Sequence, residues 1–246
     1  MGKNVSVNLG KADGILSENE QVKGEEFEPT ERIKVYILEV KDTPKGPRIL
    51  LSRTHPGLVK RLFESEVAEV KDGTVEIKSI AREAGSRTKI AVWSNDPDVD
   101  PVGACVGMNG ARVNSIVEEL RGEKIDIINW DENPAILIEN ALSPAKVIAV
   151  MADPDEKTAL VVVPDYQLSL AIGKEGQNAR LAARLTGFKI DIKSETQARE
   201  SGELYDYDDE DEYYDEEEYS EEGAVESEET ETEETEEVSE ETTVEE

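Results

Sequence analysis

Ala171-Ile172-Gly173-Lys174-Glu175-Gly176-Gln177-Asn178-Ala179-Arg180-Leu181 is the stretch on which the reading of this 246-residue chain turns. An apolar, helix-like run ends at a Gly-x-x-Gly loop. A second helical run starts directly after it, and the strand-like Lys189-Ile190-Asp191-Ile192 follows. One such loop carries no weight, because glycine at its usual ~7% frequency yields about one Gly-x-x-Gly by chance in a chain this long. A second copy does carry weight. Val106-Gly107-Met108-Asn109-Gly110-Ala111-Arg112 places the same loop 66 residues earlier, and the helical run behind it leads to Lys124-Ile125-Asp126-Ile127, 65 residues before its counterpart. Loop, helix and strand start recurring in register to within one residue form an internal repeat.

The physics of such a loop points to a ligand. Two glycines let the backbone approach a partner without side-chain obstruction. The helix that begins there aims its free N–H groups and positive dipole end outward. A phosphate or an extended phosphodiester suits that arrangement, and a Gly-x-x-Gly loop clamping about four backbone nucleotides is how a KH domain holds single-stranded nucleic acid. The competing reading is a helix–turn–helix corner with glycines for packing, which suits a lone loop better than a repeated one. The candidate RNA-binding residues are Gly107, Met108, Asn109, Gly110 and Arg112 in the first copy. In the second they are Ile172, Gly173, Lys174, Glu175, Gly176, Gln177, Asn178, Arg180 and Arg184. Arg180 and Arg184 stand one turn apart on one predicted helix face. From Lys174 to Lys193 the balance is +3, whereas from Gly107 to Trp130 it is −1. The second copy is therefore expected to supply most of the phosphate attraction.

The formal net charge of −31 is concentrated at one end. Residues 200–246 hold 26 Asp or Glu and no Lys or Arg, and residues 1–199 carry only −5. The chain reads as a near-balanced folded part, long enough for two or three small domains, with an acidic tail over 198–246. Mostly Glu, Asp, Ser and Thr, the tail lacks apolar surface to offset ordering entropy and is expected to be disordered. Its carboxylates are expected to compete with RNA for Lys174, Arg180 and Arg184, or else to serve solubility alone. The single cysteine, Cys105, excludes an internal disulfide and reads as a small buried apolar residue in a reducing compartment. No apolar run reaches membrane-spanning length. A cytoplasmic monomer is expected, with no membrane partner.

Before the repeat, Asn4–Leu9, Ile15-Leu16, Ile33–Val40 and Ile49–Ser52 read as short strands with turn signals between them. Leu58–Phe63 reads as a helix, and Val75–Ala81 with Thr88–Trp93 as a hairpin. A short helix at Pro101–Val106, the first loop, a helix at Val113–Leu120 and a strand at 124–128 complete the first copy. The second has a helix at Ala135–Leu142, strands at Val147–Val150 and Leu160–Val163, helices at Tyr166–Ile172 and Ala179–Leu185, and a strand at 189–192. Both copies read αββααβ, the order of the bacterial-type KH domain. The expected class is α+β, with a partial barrel over 1–54, KH domains over 55–130 and 131–197, and the tail.

Several stretches carry resemblances to known families. Leu9-Gly10-Lys11-Ala12-Asp13-Gly14-Ile15-Leu16, closed by Ile49-Leu50-Leu51-Ser52-Arg53, resembles the RNA-binding OB barrel of ribosomal protein S1. Leu51–Leu58, Val99–Gly107 and Gln167–Ala182 resemble the signatures of the NusA family of bacterial transcription elongation, termination and antitermination factors. The resemblance implies binding of nascent single-stranded RNA across the S1-type and paired KH domains. It also implies action on RNA polymerase together with other elongation and antitermination factors. Against that family the chain is expected to lack the N-terminal polymerase-binding domain and the first strand of the S1-type domain, since Met1 falls about where the second strand should begin. Met108-Asn109 stands where that family usually has a lysine.

Enzymatic chemistry is not expected. The only histidine, His55, sits in a turn, and no nucleophile–base arrangement is visible. Asp96, Asp98 and Asp100 open like a calcium loop, but Pro101 and Gly107 stand where its Gly and Glu belong, so turn and cap roles are expected. Gly173-Lys174 is not a phosphate-binding Walker loop, since Leu168 precedes and Glu175 follows. No cofactor and no metal is expected. Trp93, Trp130, Phe63 and Phe188 are read as core residues, which leaves an aliphatic KH groove rather than an aromatic stacking platform. The alternative function is a protein–protein scaffold that binds no RNA and docks basic partners through its KH folds and acidic tail.

Overall fold

The structure, a computed structural model, describes residues 4–44 and 46–203. The expectations of tail disorder and of tail competition for RNA fall on residues 204–246, outside the described residues. Near the N-terminus, β1 (Val5–Asn8), β2 (Asp13–Leu16), β3 (Tyr36–Thr43) and β4 (Gly46–Ser52) form one open sheet in the order β1-β2-β4-β3. The β2–β4 pairing is parallel and the other two are antiparallel. Leu16 and Leu51 are its buried apolar side chains. Gly14 lets them meet, since a Cβ there would lie 2.5 Å from Leu51 Cδ1. No barrel closes among the described residues: β1 and β3 are both free edges, and Ile37, Leu38 and Val40 on β3 are exposed. The strand expected at Ile33–Val40 begins at Tyr36, because its register is set by pairing with Ser52 on β4.

The first repeat opens with α1 (Pro56–Glu66), which starts at a helix-compatible proline, with His55 Nδ1 accepting from Gly57 N at 2.9 Å. A four-residue helix, α2 (Ala68–Lys71), follows it. Next come β5 (Val75–Glu83) and β6 (Arg87–Ser94) as an antiparallel hairpin, then α3 (Pro101–Val106), α4 (Ala111–Glu119) and β7 (Lys124–Asn129), parallel to β6. The second repeat runs α5 (Pro134–Ala141), β8 (Ala149–Asp153), β9 (Thr158–Val163), α6 (Leu168–Ile172), α7 (Gln177–Thr186) and β10 (Lys189–Ser194), again with an antiparallel hairpin and a parallel third strand. Apart from α2, both copies therefore have the order αββααβ and the same sheet topology.

Strand alternation, shifted by one residue at the bulge between Ile77 and Ser79 in β5, assigns the two faces of the first sheet. Val75, Ile77, Ile90 and Val92 face a core with Leu58, Val59, Leu62, Phe63, Cys105, Ile116 and Leu120. Ala81, Ala91 and Ile128 face the other way and join Leu137, Ile138, Leu181, Ala182 and Leu185 of the second repeat in a single core. The first sheet is thus covered on its second face by its neighbour. Lys89 lies within that joint, fully buried, and donates to Ser143 O at 2.8 Å and to Asp126 at 3.1 Å. Burial pulls its ammonium below the usual lysine range, while Asp126 acts against that shift.

A terminal helix, α8 (Glu195–Glu200), follows β10 directly and carries a capping box between Ser194 and Gln197. Its Ala198 is fully buried. The expected boundary between second domain and tail, at 197/198, falls inside this helix, because one buried alanine and a cap hold it to the fold. Trp93, read as core, is 41% exposed and meets Trp130 edge-on at 5.7 Å, whereas Phe63 and Phe188 are buried.

Candidate nucleic-acid interface

The two Gly-x-x-Gly loops share one backbone. Gly107 has φ 74° and ψ 173°, and Gly173 has φ 76° and ψ 171°. Asn109 (52°, 28°) matches Glu175 (53°, 25°), and Gly110 (75°, 12°) matches Gly176 (74°, 16°). The same turn bond closes each loop: Gly110 N donates to Gly107 O and Gly176 N to Gly173 O, both at 3.1 Å. Met-Asn and Lys-Glu therefore produce one geometry, set by the flanking glycines. No side chain caps the start of α4 or α7. The amides of each first turn consequently point outward beside the loop.

The opening glycine of each loop is required twice over. Its φ is in the left-handed region, and a Cβ would meet the residue five positions on. That Cβ would lie 2.8 Å from Arg112 Cγ at Gly107, and 2.8 Å from Asn178 Cβ with Asn178 N at 2.9 Å at Gly173. Arg112 and Asn178 hold equivalent corner positions. Arg112 donates to Ala104 O at 2.6 Å and pairs with Glu69 at 3.0 Å. Asn178 is 7% exposed and donates to Ala171 O and Leu142 O, both at 3.0 Å. Each stitches the helix before the loop to the helix after it; the Arg112 side chain stays 35% exposed while Asn178 turns inward.

The outward residues are fewer than the sequence suggests. Met108 is 85% exposed, and Asn109, Lys174 and Glu175 are exposed. Lys174 makes no ion pair among the described residues. Ile172, 37% exposed, and Leu170, 45% exposed, continue the second loop along α6 as an aliphatic surface. Of the carboxylates that resemble a calcium loop, Asp96 accepts from Asp98 N at 3.0 Å, and Asp100 caps α3 by accepting from Val102 N and Gly103 N. Burial pushes the Cys105 thiol up to about 12, so it stays a neutral core group.

The comparisons fall on this same region. Residues 53–130 match the model of the NusA-like first KH domain, and residues 134–200 match that of the NusA-like second KH domain, together more than half of the chain. The chain belongs to the NusA family. The transcription termination/antitermination protein NusA of Bacillus subtilis is 64% identical over 200 residues, covering 81% of this chain and 54% of that protein. That of Mycobacterium tuberculosis is 55% identical over 185 residues (75% and 53%), and that of Thermus thermophilus 49% identical over 187 (76% and 48%). The chain spans about half the length of the curated relatives it matches.

In this NusA-family pair of KH domains, the joint brings residues to the second loop that no local pattern announces. Glu83, at the end of β5, pairs with Arg180 at 2.7 Å and Arg184 at 3.6 Å, and accepts from Gln177 Nε2 at 2.9 Å. The hydrogen bonds from Arg180 and Gln177 hold its carboxyl below the usual carboxylate range. The local +3 count for the second loop therefore overstates its free charge, because one acidic residue of the first repeat lies against it. A cleft of about 700 Å³ also opens along the joint, lined by Val102, Ile127 and Asn129 on one side and by Asn140, Lys146 and Val147 on the other. Among the described residues no helix is long and apolar enough to cross a membrane, and no cluster of His, Cys, Asp or Glu has the makings of a metal site.

Proposed function

We propose that this chain binds single-stranded RNA through its paired KH domains and serves in transcription termination and antitermination, as its named relatives do. The observation that carries the reading is the pair of geometrically matched Gly-x-x-Gly loops on two domains that share one core. Two such loops held in a fixed relation suit two segments of one extended phosphodiester chain. Gly107–Gly110 and Gly173–Gly176 approach the backbone, Lys174 supplies charge, and Leu170 and Ile172 give an aliphatic surface for bases. Met108-Asn109 gives the first loop no cation, so its hold rests on backbone amides. The sheet over residues 5–52 is read as the S1-type part of the same interface. Nascent RNA and RNA polymerase, with other elongation factors, are the proposed partners.

The test is binding of a fluorescent single-stranded RNA across a salt series. Lys174→Asp keeps both glycines and is expected to weaken binding at least several-fold with unfolding unchanged. The log–log salt slope should fall by about 0.7 for the lost phosphate contact. Unchanged affinity removes the loop from the interface. A wild-type chain that shifts no RNA at any salt supports the scaffold reading instead.

A further inference from the structure

Three side chains of α7 converge on one foreign carboxylate. Arg180 Nε donates to Glu83 Oε1 at 2.7 Å and Nη2 to Oε2 at 3.4 Å, Gln177 Nε2 donates to Oε2 at 2.9 Å, and Arg184 Nη1 stands 3.6 Å from Oε1. The remaining arm of Arg180, Nη1, donates to Glu175 O inside the Gly-x-x-Gly loop at 2.9 Å. Gln177 also reaches Ser86 Oγ at 2.7 Å, across the turn from Glu83. The donors form a cradle that holds both oxygens of one anion and adjoins the loop. The first repeat has no such cradle: 66 residues earlier stand Ala111, Asn114 and Glu118.

We propose that Arg180, Arg184 and Gln177 form a phosphate subsite of the second KH domain, that Glu83 is its resident counter-anion, and that RNA takes the site by displacing Glu83. The proposal rests on the RNA-binding reading above and extends it by one subsite and one competing residue. Arginine's planar fork suits phosphate oxygens as well as carboxylate oxygens. Displacement costs little, because the arginine side chains are 44% and 55% exposed and Glu83 itself is 22% exposed, and solvent-exposed ion pairs contribute little net stability. The domains stay joined when Glu83 swings away, because Ala81, Ala91 and Ile128 remain buried against Leu137, Ile138 and Leu181. A phosphodiester held at the loop thus has a second cationic seat within reach, open only to a ligand that outcompetes a carboxylate.

The experiment uses the full chain and a single-stranded RNA oligonucleotide, with affinity read by fluorescence anisotropy from low to high salt. Glu83→Gln keeps the side-chain size and removes the charge. It is expected to bind RNA about two- to five-fold tighter at low salt, the range an exposed pair allows, with the gain fading at high salt. Glu83→Ala should show the same gain, and thermal unfolding of each variant reports whether the joint survives. In an Arg180→Gln/Arg184→Gln background the Glu83→Gln gain should vanish. Equal or weaker binding by both Glu83 variants with folding intact overturns the subsite, as does an undiminished gain in the arginine-less background. The two readings fail separately: if Lys174→Asp weakens binding and Glu83→Gln changes nothing, only the subsite is lost. If the wild-type chain binds no RNA, both are.

Discussion

At the scale of single residues, the two loops show which positions the backbone dictates and which are free. Positions 108 and 109 and positions 174 and 175 differ in every letter, yet their dihedrals agree within a few degrees. Asparagine tolerates the left-handed region at 109, whereas glutamate at 175 is there at a cost. Glu175→Asn is therefore expected to stabilise the protein by up to about 1 kcal/mol, and Gly173→Ala to destabilise it by about 2 kcal/mol or more. Gly173→Ala is the harsher because its Cβ would meet the backbone of Asn178 as well as its side chain. Urea unfolding midpoints check both; a lower midpoint for Glu175→Asn removes the claim of strain. The need for glycine at 107 and 173 was legible from the repeat. The corner hydrogen bonds of Arg112 and Asn178 were not, because nothing in a five-residue spacing tells whether a polar side chain reaches a neighbouring carbonyl.

Elements were legible where periodicity was long. α1, α5 and α7 each bury an apolar stripe, α4 buries Ile116 with Leu120 just past its end, and all four lie within a few residues of where they are expected. The misses are short. α2 has four residues, and α8 buries only Ala198, so neither has a period to read. The signal that finds α8 is its capping box, Ser194 with Gln197 three residues on. Caps decide short helices. α3 spans six residues, and Asp100 accepts from two of its amides, so Asp100→Ala is expected to cost about 1 kcal/mol. The same substitution should loosen the loop that α3 leads into, read as faster amide exchange at Gly107–Gly110. Exchange there at the wild-type rate, with wild-type stability, shows that packing rather than the cap holds α3.

For the molecule as a whole, buried charge ties the segments together. Arg53, 1% exposed, holds Glu25 through two bonds of 2.7 and 2.6 Å, Lys34 O at 2.8 Å and Glu119 O at 2.9 Å. It thereby joins the N-terminal sheet's connecting loop to α4. Glu123, buried, accepts from Arg82 at 2.9 and 2.8 Å, from Thr88 at 2.6 Å and from Gly85 N at 2.8 Å. Burial alone would raise its carboxyl, but Arg82, Thr88 and Gly85 outweigh it and hold Glu123 below the ordinary 4.5. Asp126 is likewise held low: burial raises it, and Arg87 and Lys89 more than offset that. A carboxyl depressed in the fold binds fewer protons there than in the unfolded chain, so its contribution is full above the unfolded value and is lost as pH falls through the folded one. Stability is therefore expected to hold from pH 7 to about 5 and to drop progressively below about 4.5. Denaturant midpoints at pH 7, 5, 4 and 3 check this, and equal midpoints at pH 5 and 3 contradict it.

What the chain's letters determined by themselves is local and repeated: two loops at one spacing, the αββααβ order, the starts of helices at proline and glycine, the acidic skew of the last 47 residues. These follow from dihedral preference and apolar period, which act over a few residues. Tertiary structure alone decided what each charge does. Glu83 and Arg180 are 97 positions apart, and Arg53 and Glu119 are 66 apart. Their meeting depends on how two sheets and a helix face come together, and a charge count over a window cannot register it. That the two KH domains share a core was likewise settled by packing, because Ala81 and Ala91 are too small to announce a buried face until α5 and α7 close over them.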